Sequence, residues 1–356
     1  MNLQKTGDDT PTNLAKAGSP PPLVVSPESY SKSGKRVQRP LEPINLSGST
    51  IDQRFHILSR IGAGGMSEVY KAEHIILQKI VAIKVLHKQQ EAQDHGIERF
   101  QQEAKAISTL DHPNIVKVYA FGASETDQLY LVMDYLEGKS LAEILSAEGH
   151  LSWERATNLV RQIAEGLEQA HSRGIVHRDL KPSNIIIQID EAGCELVKIV
   201  DFGIAKLTVD SGKEINKLTH DGNTCGSPPY MSPEQCMGEV ADARADVYSL
   251  GVMTYELLIG KRPISGRSSM ETMQNHLNQT PPLFSMVEAK HDIPKSLEAI
   301  VRKCLEKDPD YRYQNMHDLK ADLNQVGTSS KKETLLESTQ EKISAEIEFS
   351  ERSKTI

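Results

Sequence analysis

One polar run, His177–Asn184, together with an aspartate shortly after it, holds the residues of this 356-residue chain best suited to chemistry. Asp179 is a carboxylate that can accept a proton from a hydroxyl nucleophile, and Lys181 can neutralise a phosphate oxygen. Asn184 and Asp201 offer hard oxygen ligands of the kind that Mg²⁺ prefers between phosphates. Phosphoryl transfer passes through a loose transition state that needs positioning and charge stabilisation, so these four residue types match that reaction.

A glycine-rich run lies earlier in the chain, between two segments with strand-like patterns. Its residues are Ile61, Gly62, Ala63, Gly64, Gly65, Met66, Ser67, Glu68 and Val69. Glycines allow backbone N–H groups to approach phosphates, because no Cβ stands in the way. A strand rather than a helix is predicted after this run, which excludes the dinucleotide-binding fold. The run is therefore interpreted as a loop that covers phosphates.

Lys84 lies at the inner end of an apolar strand predicted over Ile80–Leu86. An ammonium group among buried β-branched residues needs a partner, because desolvating an isolated charge is costly. Glu103 is the natural partner, since it lies three residues after Phe100 and four before Ile107, on the apolar face of a predicted helix. A solvent-exposed glutamate is the ordinary alternative at such a position.

Taken together and in this order, the motifs resemble those of protein kinases. The resemblance extends from about residue 52 to about residue 325 and rests on the glycine-rich run, Val81–Lys84, His177–Asn184, Asp201–Gly203 and Ser232–Glu234. It departs from the family pattern at Ser67, which stands where the third glycine is usual. The overall plan is most similar to the eukaryotic-type serine/threonine protein kinases of bacteria, which often continue into a membrane span and a sensor domain.

The resemblance implies an α+β, protein-kinase-like two-lobed fold, with a β-rich N-lobe that contains one key helix and a mostly helical C-lobe. Residues 1–50 hold 7 of the 17 prolines and are predicted to be a disordered arm rich in Pro, Ser and basic residues. Residues 51–325 are predicted to form the kinase domain, divided into an N-lobe over 51–137 and a C-lobe over 138–325. Residues 326–356 are predicted to be a charged C-terminal tail.

Periodicity also predicts individual elements within this domain. Helices are expected over 97–110, Trp153–Arg173, Asp246–Ile259 and Leu297–Leu305, with Gly260 as a C-terminal cap. Strands are expected over Phe55–Leu58, Val69–Ala72, Ile80–Leu86, Ile115–Tyr119 and Leu129–Met133.

The family resemblance assigns a role to each candidate residue. Asp179 is implied as the catalytic base, Lys84 and Lys181 as phosphate contacts, and Glu103 as the residue that orients Lys84. Mg²⁺, with Mn²⁺ as a substitute, is implied to bind Asn184 and Asp201. Met133 is implied as the gatekeeper beside the adenine of ATP. The implied ATP-binding set is Ile61, Gly62, Ala63, Gly64, Gly65, Met66, Ser67, Val69, Ala82, Lys84, Met133, the backbone of Asp134 and Leu136, and Ile186.

The implied activity is ATP-dependent transfer of the γ-phosphoryl group to Ser and Thr hydroxyls of protein substrates, including autophosphorylation. Lys181 and Ser227 match the pattern of serine/threonine-specific members. Two alternatives stay open from the sequence. One is a pseudokinase that acts as a scaffold, against which the intact Lys84, Asp179 and Asp201 argue. The other is a small-molecule kinase of related fold, against which the Ser232–Glu234 segment argues.

Regulation and structural roles are also implied by the resemblance. Arg178 before the base usually accompanies activation by phosphorylation of the following loop, where Thr219 and Thr224 are favoured over Thr208 and Ser211. A phosphate on this loop would carry negative charge that Arg178 can bind. The alternative is that these side chains are ordinary solvent-exposed hydroxyls without a regulatory role. The remaining implied contacts are an ion pair of Glu234 with Arg312, hydrogen bonds from Asp246 to the catalytic-loop backbone, and a stack of Ile107, Val118, Phe202 and His177.

Composition and charge limit which classes of partner and which cellular compartment we expect for this protein. The formal charge of 41 − 49 = −8 argues against a broadly basic nucleic-acid surface. No stretch approaches 18 apolar residues and no secretory signal begins the chain, so a cytoplasmic kinase without a membrane span is expected. Four scattered cysteines favour free thiols over metal or disulfide roles. Expected partners are protein substrates and a regulatory protein or a second copy in a transient dimer for trans-autophosphorylation.

Overall fold

The structure is a computed structural model that describes residues 46–64, 67–87, 96–124, 128–202, 227–287 and 293–327. Most of the predicted N-terminal arm and nearly all of the predicted C-terminal tail lie outside these residues. Regular pairing begins before the expected domain boundary, because the Gly48 N–H donates to the Ile57 carbonyl at 2.9 Å and Thr50 pairs with His56. The amino-terminal segment therefore adds a short strand to the first sheet.

An antiparallel sheet of six strands forms the N-terminal lobe, in the order β1-β2-β3-β4-β6-β5. Its strands are β1 (Thr50–Ile51), β2 (Phe55–Ala63), β3 (Ser67–His74), β4 (Lys79–Leu86), β5 (Val118–Ala123) and β6 (Leu129–Asp134). Successive side chains of a strand point to opposite faces, so Ile83 and Tyr70 pack in a small core on one face while Ala82 and Met133 join the main core on the other. This division places Ala82 and Met133 on the face of the proposed nucleotide site.

Helix α1 (Gly96–Ser108) packs against this sheet through Phe100, Ala104 and Ile107, which are all buried. Their spacing of three and four residues puts them on one helical face, as the sequence predicts. Strand β5 starts later than expected, because Ile115 leaves the sheet to form an isolated bridge with Ile199. The backbone at Val116 and Ile199 is hydrogen bonded at 3.0 Å, which ties the two lobes together behind the cleft.

The C-terminal lobe is mostly helical. Its described helices are α2 (Leu141–Glu148), α3 (Trp153–Ser172), α4 (Pro233–Met237), α5 (Ala243–Ile259), α6 (Ser269–Asn278), α7 (Lys295–Cys304) and α8 (Met316–Gln325). Side-chain oxygens of Ser152, Asp242 and Ser268 accept the amide hydrogens that open α3, α5 and α6, because the first turn of a helix has no backbone partner for them. Gly260 closes α5 in the left-handed conformation, as expected.

A small antiparallel sheet of the C-terminal lobe positions the candidate site. It consists of β7 (Lys139–Ser140), β8 (Ile185–Ile189) and β9 (Glu195–Ile199). The polar run that contains Asp179 enters β8, and Asp201 follows β9, so pairing of these strands brings the two segments side by side. The predicted two-lobed α+β architecture is confirmed. No helix within the described ranges is long and apolar enough to cross a bilayer.

Candidate active site

Asp179 is held by two neighbours of the same loop. Lys181 Nζ lies 2.8 Å from Asp179 Oδ2, and Asn184 Nδ2 donates to the Asp179 carbonyl at 2.9 Å and approaches Oδ2 at 3.5 Å. A short 3₁₀ turn, Pro182–Asn184, makes this possible, because proline fits the first position of such a turn and reverses the chain. The carboxylate is mostly buried, with 17% of its side chain exposed. It is thus fixed in orientation and still accessible.

The backbone beneath this loop is anchored on Asp246, which is fully buried in α5. Its carboxylate accepts the His177 N–H at 2.8 Å, the Arg178 N–H at 2.9 Å and a bond with His171 Nε2 at 2.8 Å. Burial raises the pKa of Asp246, but the hydrogen bond and charge of His171 outweigh it and leave that pKa below its usual value. The predicted hydrogen bonds from Asp246 to the catalytic-loop backbone are confirmed.

Arg178 adopts a left-handed backbone conformation with φ +61°, which is uncommon for a residue with a side chain. Both of its backbone polar groups are bonded: its N–H to Asp246, and its carbonyl to Gln235 Nε2 at 2.9 Å. Gln235 also completes the capping box of α4 by accepting the Ser232 N–H at 3.0 Å. These contacts hold the turn that points Asp179 into the cleft.

Lys84 and Asp201 meet across the cleft. Lys84 Nζ lies 2.9 Å from Asp201 Oδ1, and the two side chains are 14% and 29% exposed. Asp201 has φ +60°, a second strained position, which turns its carboxylate toward the lysine. The structure therefore pairs Lys84 with a candidate metal ligand. Glu103 is half-buried on α1, and its predicted pairing with Lys84 remains a prediction.

The roof of the cleft is the hairpin of β2 and β3. Gly62 pairs with Val69, and the Gly64 N–H donates to the Ser67 carbonyl at 2.8 Å, so the described parts of the glycine-rich run belong to two paired strands. Ile61 and Ala63 lie near the end of β2, and both are exposed. Gly65 and Met66 lie outside the described residues.

The wall and floor of the cleft are apolar. Ala82 pairs with Met133 across β4 and β6, and both are buried. The Asp134 N–H donates to the Lys117 carbonyl at 3.0 Å, so this N–H is already used within the protein. Leu136, Val69 and Ile186 are half-buried. The proposed adenine-binding residues thus come from both lobes.

Ser227 is connected directly to the candidate base. Its Oγ lies 2.8 Å from Lys181 Nζ, the same ammonium group that contacts Asp179. The segment then continues through a 3₁₀ turn, Pro228–Tyr230, into α4. We call Ser227–Tyr230 the docking segment. Lys181 thus links the docking segment to Asp179.

The predicted ion pair beneath the docking segment is confirmed. Arg312 Nη1 and Nη2 each lie 2.8 Å from one oxygen of Glu234, in a bidentate arrangement. Burial raises the pKa of Glu234, but the hydrogen bonds and charge of Arg312 outweigh it and hold that pKa below its usual value. The pair fixes α4 to the C-terminal helices.

His177 is a packing residue, as the sequence predicts. Its ring is fully buried, lies 4.8 Å from the Phe202 ring centroid, and Nε2 is 3.1 Å from the Val200 carbonyl. Burial lowers its pKa, so the imidazole is neutral near pH 7. Ile107, Val118 and Phe202 are buried in the same main core.

The regulatory candidates Thr208, Ser211, Thr219 and Thr224 lie outside the described residues. Sequence reasoning missed two positioning residues. His171 supports Asp246 from the last turn of α3, and Gln235 supports Arg178. The Ser-x-x-Gln spacing of Ser232 and Gln235 predicts a capping box, but no local pattern shows that the glutamine also reaches a loop 57 residues away.

Comparisons with known proteins agree with this geometry. The family described as "Protein kinase domain" matches residues 55–323. The serine/threonine-protein kinase PrkC of Bacillus subtilis (strain 168) is 41% identical over 278 residues, which cover 78% of this chain and 41% of PrkC. The serine/threonine-protein kinase pkn3 of Myxococcus xanthus is 38% identical over 279 residues, which cover 78% of this chain and 51% of pkn3. The chain thus spans about half or less of these relatives.

Among solved structures, the PknI kinase domain of Mycobacterium tuberculosis superimposes with a TM-score of 0.62 at 26% identity, covering 78% of this chain and 98% of that one. The family match covers most of the chain, and the motifs that carry it converge on one cleft between two lobes. The chain therefore belongs to the protein kinase family.

Proposed function

We propose that this chain transfers the γ-phosphoryl group of ATP to Ser and Thr hydroxyls of protein substrates, including its own. The observation that carries the proposal is the continuous contact from Asp179 through Lys181 to Ser227. This contact supports Asp179 as the group that accepts the proton of an acceptor hydroxyl bound along the docking segment. Membership of the protein kinase family and the names of the bacterial relatives support this activity.

The residues of the cleft fit ATP with a divalent cation. The amide nitrogen of Asn184 donates to the Asp179 carbonyl, so its amide oxygen and the Asp201 carboxylate would be the two hard oxygen ligands for the cation. Within the described residues there is no cluster of three or more His, Cys, Asp or Glu side chains able to hold a metal ion. Two protein oxygens suit Mg²⁺, which usually takes its other ligands from water and phosphate, and we propose Mg²⁺ with Mn²⁺ as a substitute. When bound, the cation neutralises charge on the phosphates.

Residues of the chain itself carry out proton transfer, charge stabilisation and the orientation of ATP. Asp179 accepts the proton of the acceptor hydroxyl, and Lys181 stabilises negative charge while it keeps that carboxylate oriented. Lys84 orients the α- and β-phosphates from its place beside Asp201. We keep Glu103 as the residue that orients Lys84, supported by its half-buried position on α1. The apolar pair of Ala82 and Met133 excludes water from the adenine side.

Regulation and location complete the proposal. A phosphate on Thr219 or Thr224 would supply strong acceptors for Arg178, and trans-autophosphorylation in a transient dimer would deliver it. A regulatory protein is the other partner that we propose. A cytoplasmic location is supported by the thiols of Cys194, Cys236 and Cys304, which are free in the structure and typical of a reducing compartment.

The test compares the wild-type chain with Asp179→Asn, Lys84→Met and Glu191→Gln. Glu191 is an exposed carboxylate in the turn between β8 and β9 and serves as the matched control. We expect labelled phosphate to be transferred from ATP to Ser and Thr by the wild type and by Glu191→Gln. The other two variants should lose at least about 10²-fold, because each removes a charged group that acts on the transition state. Equal labelling by Asp179→Asn, or ATP binding without any transfer, would contradict the proposal and favour a scaffold.

A further inference from the structure

An acidic side chain and a basic side chain pair next to the docking segment without any part in the proposed transfer. Glu256 lies near the end of α5 with 13% of its side chain exposed. Tyr230 donates its hydroxyl to Glu256 Oε2 at 2.5 Å, and Arg262 Nε lies 3.7 Å from Oε1. Burial raises the pKa of Glu256, and the Tyr230 hydrogen bond and the Arg262 charge oppose that shift without cancelling it. The carboxylate is thus a costly group in need of a cation.

This pair is close to the acceptor path. Tyr230 ends the 3₁₀ turn that starts after Ser227, and a turn of three residues advances about 6 Å. The Tyr230 carbonyl accepts the Ser249 hydroxyl at 2.7 Å, so its backbone is fixed as well as its ring. A chain of contacts therefore runs from Asp179 through Lys181, Ser227 and Tyr230 to Glu256.

Arg262 is held in place by its backbone. Gly260 has φ +77°, and a Cβ there would meet the Gly149 carbonyl at 2.4 Å, so the chain passes α2 closely at this point. On the other side, Pro263 and Ile264 are buried. Lys261 and Arg262 are consequently presented at the surface from a rigid support, which lowers the entropy cost of using them in binding.

The guanidinium of Arg262 has N–H groups that are available to bind a ligand. Its side chain is 39% exposed, and within the described residues its polar contact is the one between Nε and Glu256. The Nη1 and Nη2 edge forms a planar fork whose geometry matches a carboxylate. Cations after the end of a helix also complement its dipole, which accounts for Lys261 and Arg262 being basic. That effect alone does not require Arg262 to be fixed against a buried glutamate beside the docking segment.

We propose that Arg262 determines substrate specificity: it fills the acidic corner at Glu256 and presents its Nη groups to an Asp or Glu side chain of the substrate protein near the acceptor hydroxyl. The positive charge of Arg262 repels basic side chains from that corner. The inference rests on the proposed function, and it adds that the preferred substrates are acidic on one side of the acceptor.

The experiment is a positional peptide library around a central Ser or Thr, phosphorylated by the full chain and by Arg262→Ala, Arg262→Glu and Arg302→Ala. Arg302 is an exposed arginine on α7 and is the matched control. We expect the wild type and Arg302→Ala to select Asp or Glu at one position. Arg262→Ala should raise KM for the selected acidic peptide about tenfold with kcat unchanged, since a hydrogen bond to a charged group is lost. Arg262→Glu should select Lys or Arg at the same position.

A second measurement separates this inference from the proposed function. Fluorescence anisotropy measures the binding of one acidic and one neutral peptide to Asp179→Asn, with and without Arg262→Ala. The inference is supported if the acidic peptide binds more tightly than the neutral peptide and this difference is lost in Arg262→Ala, even where no phosphate is transferred. Active enzyme without acidic preference, or a preference that survives Arg262→Ala, overturns the inference and leaves the proposed function intact. Arg262→Ala could also lower thermal stability while peptide selection and peptide binding stay unchanged. That result would show that Arg262 only stabilises the end of α5, and it too overturns the inference.

Discussion

Removal of the Glu234 carboxylate should destabilise this protein more than loss of an ordinary surface charge. Arg312 is fully buried, and each of its five N–H donors has an acceptor: two in Glu234, and the carbonyls of Glu306, Arg244 and Lys307. In Glu234→Ala the three carbonyl bonds remain, but the guanidinium charge loses its counterion in a site that water does not reach.

The magnitude follows from this geometry. Breaking a buried ion pair by removing one partner costs about 3–5 kcal/mol, because the remaining charge is left desolvated. The two bidentate hydrogen bonds of 2.8 Å are of the charge-assisted kind, which supports the upper half of that range. A cost of this size is a large share of the total stability of a typical domain, which is about 5–15 kcal/mol.

The assay is urea unfolding of the wild type, Glu234→Ala, Arg312→Met and the double variant. Asp111→Ala is the matched control, because Asp111 pairs with Lys117 at 3.1 Å on the surface, where the side chains are 82% and 52% exposed. We expect a cost below about 1 kcal/mol for that control. The double variant should be less damaged than the sum of its single changes, since neither charge is then left alone.

Three results decide the matter. A cost below about 1 kcal/mol for Glu234→Ala would refute the claim that the pair is buried and uncompensated. Full additivity of Glu234→Ala and Arg312→Met would show that the two side chains do not interact. An equal effect of Asp111→Ala would show that burial plays no part.

Three other outcomes follow from the same structure. Gly251→Ala should lower the free energy of unfolding by about 1–3 kcal/mol in urea titrations, because an added Cβ would meet Cys304 Cβ at 2.6 Å between two packed helices. Asp246→Asn should reduce kcat by about 10²-fold with little change in the KM for ATP, because an amide group cannot accept all three hydrogen bonds that Asp246 accepts, two of which position the catalytic loop. Burial and the nearby Lys307 ammonium lower the pKa of His276 to about 4, so between pH 6.5 and pH 4 only the unfolded chain binds this proton. Acidification through that window should therefore remove about 3 kcal/mol of stability, and His276→Gln should abolish that part of the pH dependence.

Elements with a strong local signal could be predicted from the sequence. The helix expected over Trp153–Arg173 is observed as Trp153–Ser172, because its apolar residues recur every three or four positions and Ser152 caps its start. The helix expected from Asp246 begins earlier, at Ala243. Asp242 supplies the cap by accepting the Arg244 N–H at 2.8 Å, and Asp246 is buried in the first turn of the helix.

The site residues were predictable as a set, but their partners were not. Asp179, Lys181, Asn184 and Asp201 stand in short motifs, and the structure brings them to one cleft. The contact between Lys84 and Asp201 joins residues far apart in the chain, and its geometry depends on how β4 and β9 are arranged in the two sheets. A periodic pattern reports which face of an element is buried, but it carries no information on which distant side chain faces it.

Two strained backbone positions show how the core of the C-terminal lobe supports the geometry of the cleft. Arg178 and Asp201 both adopt the left-handed conformation, which costs about 1–2 kcal/mol for a residue with a Cβ. At Arg178 the cost is offset by hydrogen bonds to both backbone groups, from side chains anchored in α4 and α5. Asp246 can hold this turn only because α5 is buried on nearly all sides. The orientation of the carboxylate at Asp179 is therefore set by helix packing below the cleft, and the polar loop alone could not maintain it.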